Sequence, residues 1–190
     1  MASFTIDISS PFPSGFTSGF GGPNEGGHIP PEWYIQFGMD LGADAGTEVR
    51  AAFDAHVTRF NPHDPSKDTA KVYGAQHFMR SPNDMMGGFY THITDVPSAV
   101  GMVGADIKRG DLLGKVYSVP GGPSAHLHLA LVEIIGGAPK GRYTGVNLYR
   151  LFLDMANTNL PRSVTFSQDG KPPTPAAPPS PPGSETCPIW

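Results

Sequence analysis

Ser124-Ala125-His126-Leu127-His128-Leu129-Ala130-Leu131 is an apolar run broken twice by histidine, at positions two apart. Residues i and i+2 of a β-strand point to the same side. The run therefore predicts a strand with Leu127, Leu129 and Leu131 on a buried face, and His126, His128 and Ala130 on the other. Two neighbouring imidazoles repel when both are protonated, so that second face needs a cation or hydrogen-bond partners to hold them neutral. A lone histidine on a strand is ordinarily structural, whereas a same-face pair is as readily a metal or catalytic site.

Outward from this strand, short runs of β character recur at 35–41, 48–52, 56–60, 72–77, 89–93 and 112–117. Turn clusters separate them, such as Asn61-Pro-His-Asp-Pro65 and Pro120-Gly-Gly-Pro123. One segment has helical spacing: Asn147 can cap a helix that presents Leu148, Leu151, Phe152 and Met155 at i, i+3, i+4 and i+7. Residues 9–31 are rich in Gly, Pro and Ser and read as a long loop. Residues 171–190 contain eight prolines and read as an extended or disordered tail whose last residues, Ile189 and Trp190, could dock on the surface. The expected architecture is all-β: an antiparallel sheet domain over residues 1–165 with one short C-terminal helix, followed by a Pro-rich tail at 166–190.

Composition agrees. The 190 residues include 24 Gly and 21 Pro, and only 16% are charged, which disfavours a helical bundle or coiled coil. A net charge of −4 leaves no basic footprint for nucleic acid. The single cysteine, Cys187, excludes an intrachain disulfide framework and a Cys-rich zinc module. The most apolar stretch, 127–138, is interrupted by His128 and Glu133, so no transmembrane helix is expected and no membrane partner. Residues 1–49 lack Lys and Arg, so an ordinary signal peptide is not expected; the chain would be cytoplasmic or exported by another route.

Two further segments carry polar side chains in strand-like surroundings. In Gly87-Gly-Phe-Tyr90-Thr-His92-Ile, strict alternation puts Tyr90 and His92 on one face and Phe89, Thr91 and Ile93 on the other. In Tyr34-Ile-Gln36-Phe-Gly38-Met-Asp40, a straight strand would hold residues 36 and 40 roughly 13 Å apart. A bend at Gly38 could bring them together. Arg109-Gly-Asp111 reads as a turn rather than a recognition tripeptide, and the Gly-Gly pairs lack the strand and helix context of a nucleotide site.

In this order the segments resemble the lysostaphin-type zinc metallopeptidases. Ser18-Gly-Phe-Gly21 is similar to the family's opening turn. Gln36-Phe-Gly-Met-Asp40, followed by Gly46-Thr-Glu-Val-Arg-Ala51, is similar to His-x-Gly-x-Asp and Gly-Thr-x-Val-x-Ala. Tyr90-Thr-His92-Ile, the turn from Val103 to Gly114, and His126-Leu-His128 complete the series, over roughly residues 14–135.

The resemblance implies a compact antiparallel domain with a groove, one zinc ion, and cleavage of peptide bonds in cell-wall cross-links or Gly-rich peptides. It places Asp40 and His128 as metal ligands, and His92 and His126 as the catalytic histidines that support water and oxyanion. The departure is Gln36, which stands where the family has its first histidine ligand. Three outcomes follow: Gln36 ligates through its amide oxygen, His28 substitutes from the Gly-rich loop, or zinc is lost. Trp33, Tyr34 and Tyr90 are the expected substrate-binding aromatics. The alternative function is a catalytically inactive, lectin-like module that binds cell-wall peptide or glycan in the same groove.

Overall fold

A computed structural model describes residues 3–68, 72–118 and 121–178. Its strands, in chain order, are β1 (Phe4–Ile8), β2 (Phe16–Gly21), β3 (Gly38–Ala43), β4 (Glu48–Arg50), β5 (Ala55–Asn61), β6 (Ala75–Arg80), β7 (Met86–Thr94), β8 (Asp106–Ile107), β9 (Leu112–Val116), β10 (His126–Ile135), β11 (Arg142–Gly145), β12 (Arg162–Phe166) and β13 (Thr174–Pro175). Two helices join them, α1 (Trp33–Gln36) and α2 (Tyr149–Met155). A ten-stranded antiparallel sheet runs β2-β3-β10-β7-β6-β5-β8, with β11 beside β10 and β9 bridging β4 and β7. A small second sheet has the order β1-β12-β13.

The strand at 126–135 lies near the middle of the large sheet, flanked by β3 and β7. The alternation behaves as its sequence requires: Leu127, Leu129 and Leu131 are completely buried and join the main core with Met39, Leu41 and Tyr90. Ala130 belongs to the opposite face, in a smaller cluster with Phe78 and Phe89. Helix α2 adds Leu151, Phe152 and Met155 to the main core. Asn147 sits just before that helix, and its side-chain oxygen accepts from the Tyr149 backbone N–H at 3.1 Å.

Four expectations change. The strand expected at 35–41 begins only at Gly38, because residues 33–36 close a helical turn whose Gln36 and Phe37 N–H groups donate to Glu32 and Trp33 carbonyls. The loop expected at 9–31 contains β2, which pairs with β3 through two register shifts; its Gly-rich composition hides the strand. The boundary expected at 165 cuts through β12, where Phe166 is completely buried and stacks on Phe4 with ring centroids 4.9 Å apart. Just beyond it, Gln168 is buried and donates to Glu133, and β13 pairs with β12, so this part of the tail is packed chain. Residues 179–190, with Cys187, Ile189 and Trp190, lie outside the described residues.

Candidate metal centre

Asp40 and His128 are directly opposite each other on adjacent strands β3 and β10, and Thr91 of β7 completes the row. One row further along lie Gly38, Ala130 and Phe89. Gly38 is needed there: a Cβ at this position would fall inside the His128 ring. The absence of a side chain leaves room for the imidazole over Gly38, with its Nδ1 2.9 Å from Asp40 Oδ1.

His28 arrives from the other side. It lies in the loop between β2 and α1, is 7% exposed, and sets its Nε2 3.2 Å from the same Asp40 oxygen. The loop is folded on itself. Its Gly22 N–H donates to Glu25 Oε2 at 2.6 Å, and the His28 N–H donates to the Glu25 carbonyl at 2.9 Å. Gln36 joins in, because its amide donates to Asn24 Oδ1 at 2.9 Å while its carbonyl accepts from the Asn24 N–H. The Gln36 side chain therefore secures the loop that delivers His28.

Backbone acceptors fix which nitrogen of each histidine carries a proton. His28 Nδ1 lies 2.8 Å from the Gly22 carbonyl, His128 Nε2 lies 2.7 Å from that of Tyr34, and His126 Nδ1 lies 2.6 Å from that of Ser124. A carbonyl can only accept, so each of these nitrogens is the N–H. The remaining nitrogens, His28 Nε2, His128 Nδ1 and His126 Nε2, face Asp40 Oδ1, the last at 3.7 Å. Lone pairs facing a carboxylate repel unless a proton or a cation stands between them. Ligand atoms of His28, Asp40 and His128 lie within 4.8 Å of one another, as three donors to one ion would. Two imidazole nitrogens and one carboxylate oxygen, beside an open cleft, suit zinc with a free coordination position.

His92 reaches the site through an irregularity. Between β6 and β7 the register passes from Ala75↔Ile93 to His77↔Tyr90, so β7 carries one extra residue, and His92 has a φ of 63°. This bulge breaks the alternation expected for residues 89–93. Phe89, Thr91 and His92 all line the cleft. Tyr90 is instead completely buried in the main core, where its hydroxyl accepts from the Ala52 N–H at 3.0 Å. The expectation that Tyr90 contacts substrate is therefore corrected.

The His92 ring lies 4.5 Å from that of His126. Burial, with His126 and His128 alongside, pushes His92 down to about 4, so it is neutral at pH 7. Asp40 is also shifted. Burial raises it, and the hydrogen bond and charges of His128, with His126 and His28, more than offset that and hold its carboxyl below the usual range.

The cleft over these groups measures about 580 Å³. Tyr34 lines it, and so do Phe20 and Tyr73, both well exposed, which sequence reasoning did not single out. Phe20 could have been found from the Ser18-Gly-Phe-Gly21 turn that carries it. Trp33 does not line this cleft; it packs edge-on against Tyr34, Phe78 and Tyr143 in a neighbouring one.

No protein-family model matches this sequence, and no curated protein matches it. Solved structures do. Lysostaphin, the antimicrobial peptidase from Staphylococcus simulans, superposes with a TM-score of 0.51 at 16% identity, covering 78% of this chain and 55% of its own. The catalytic domain of the prophage-encoded M23 protein EnpA from Enterococcus faecalis gives 0.48 at 18% identity, covering 73% and 94%. The protein thus has the antiparallel β fold of lysostaphin-type peptidases. At such identities the chemistry must be argued from its own residues.

Proposed function

We propose that the protein is a zinc-dependent endopeptidase that cleaves peptide bonds in cell-wall cross-links or Gly-rich peptides, with His28, Asp40 and His128 holding the ion. The observation that carries this reading is the convergence of His28 Nε2 and His128 Nδ1 on one Asp40 oxygen, with both opposite nitrogens tied to carbonyls. Zinc bound there would lower the pKa of a water towards 7 and polarise the scissile carbonyl.

The protein's own groups supply the rest. With its Nδ1 on the Ser124 carbonyl, His126 turns Nε2 towards the site, the position from which a general base would take a proton. His92, neutral and beside it, has its one N–H on the Val72 carbonyl, so its other nitrogen can accept a hydrogen bond from a water in the cleft and orient it. Phe20, Tyr34 and Tyr73 offer apolar walls to a peptide backbone.

The inactive binding-module reading rested on Gln36 costing the site a ligand, and with His28 beside Asp40 that reason loses its support. Protein purified without chelators should contain about one zinc per chain. It should cleave peptidoglycan or a pentaglycine peptide, lose activity to a chelator and regain it with zinc. Metal-free protein that neither takes up zinc nor cleaves either substrate would refute the reading.

A further inference from the structure

Beside the metal cleft is a second one of about 400 Å³, differing sharply in charge. The first is lined by the carboxylates Asp40 and Glu25 and by no Lys or Arg among the described residues. The second is lined by Arg59 and Arg80, with Glu32 as its only acid among the described residues. The Arg59 guanidinium lies flat over the Phe78 ring, 3.6 Å from its centroid, and has no carboxylate partner among the described residues. Arg80 donates to the Tyr143 hydroxyl at 3.3 Å and stands 3.9 Å from Asp84, too far for a strong hydrogen bond. Trp33 and Tyr143 form an aromatic wall, with ring centroids 5.8 Å apart.

The two clefts are joined by one residue. Tyr34 lines both; its carbonyl holds His128, and its ring packs against Phe89, which lines the first cleft, and Phe78, which lines the second. A peptide lying across Tyr34 therefore passes from an acidic cleft to a cationic one. A guanidinium stacked on an aromatic ring keeps its edge N–H groups free, and those groups pair with carboxylates in two parallel hydrogen bonds. From this we infer that the Arg59–Arg80 cleft is a substrate subsite for a carboxylate-bearing residue of the peptide, next to the bond that is cut. The inference rests on the peptidase reading for its substrate, but its test is one of binding.

The full-length Trp190→Phe protein leaves Trp33 as the sole tryptophan, so its fluorescence reports occupancy of the second cleft. The probes are acetyl-pentaglycyl-glutamic acid and its neutral counterpart acetyl-pentaglycyl-glutamine amide, titrated into zinc-stripped protein. The acidic peptide should bind about tenfold more tightly, as one exposed charge-assisted contact predicts. In Arg59→Gln/Arg80→Gln protein, checked for an unchanged far-UV spectrum, the preference should shrink to within about twofold. Equal affinity for both peptides in the parent, or no binding of either, overturns the subsite. So does a preference that survives the double substitution. Zinc uptake and cleavage are measured separately, so a failure of the peptidase reading shows as acid-selective binding without zinc or turnover.

Discussion

At the scale of single residues, the sharpest contrast is between His28 and Gln36. If His28 is the third donor, His28→Ala should weaken zinc binding about 100-fold, roughly 3 kcal/mol at 1.4 kcal/mol per decade. Gln36→Ala removes only the tie to Asn24 and should cost about tenfold, as losses of groups that orient ligands do. Competition with a chromophoric chelator measures both; the reverse ranking would return the ligand role to Gln36. His126→Ala should leave zinc affinity within a few-fold and reduce kcat about 100-fold or more, since it removes a proton acceptor and no ligand. His126 and His128 were legible as a same-face pair because strand periodicity fixes the side that they share, whereas Asp40, on another strand, entered only through the resemblance. His28 was legible only as a substitute, since a Gly-rich loop has no periodicity to say where its side chains go. Tyr90 was misplaced because alternation counts every residue, and the bulge at His92 adds one that the pattern cannot announce.

At the scale of elements, the site depends on β3 and β10 lying in close register. Gly38→Ala puts a methyl where the His128 ring lies, and the ring's hydrogen bonds to Tyr34 and Asp40 leave it nowhere to turn. The variant should lose about 1–3 kcal/mol of stability from overpacking and most of its zinc affinity together, read by chemical denaturation and metal titration. A chain ending at residue 165 should not fold stably, because it discards the buried Phe166 and the Gln168 amide that satisfies Glu133. Phe166→Ala in the full chain provides a milder test, with an expected loss of about 3–5 kcal/mol. That boundary was illegible for a physical reason: β12 and β13 form an edge sheet with β1 from the opposite end of the chain, a pairing that no local window contains.

Across the whole molecule, stability should depend on pH through a buried group outside the proposed metal site. His77 is completely buried, with Nε2 3.1 Å from the Val100 carbonyl and its ring stacked on Phe60. Burial lowers its pKa from 6.5 to about 4, with the Val100 hydrogen bond opposing. The folded state thus resists protonation that the unfolded chain accepts below pH 6.5. Stability is then complete above that value and falls as the pH drops from 6.5 towards 4, by on the order of 3 kcal/mol. Urea midpoints at pH 7 and pH 4.5 measure the drop, and His77→Gln, which keeps a donor for Val100, should reduce it to the part that His92, also lowered to about 4, contributes. No described helix is long and apolar enough to cross a membrane.

The folded loop between β2 and α1 has one more consequence, for how the ion and the chain's motion depend on each other. Two of the proposed donors are carried by neighbouring strands, but His28 is carried by a segment closed by a few hydrogen bonds, among them those of Gly22 with Glu25 and Asn24 with Gln36. An ion that engages all three would tether the loop to the sheet, so its binding energy would be shared with the entropy of ordering that backbone. Stripping the metal should therefore leave the sheet's amide exchange slow while accelerating that of residues 22–31, and a protease should nick the stripped protein there first. The same element would act as both clasp and sensor, its backbone reporting whether the site is filled.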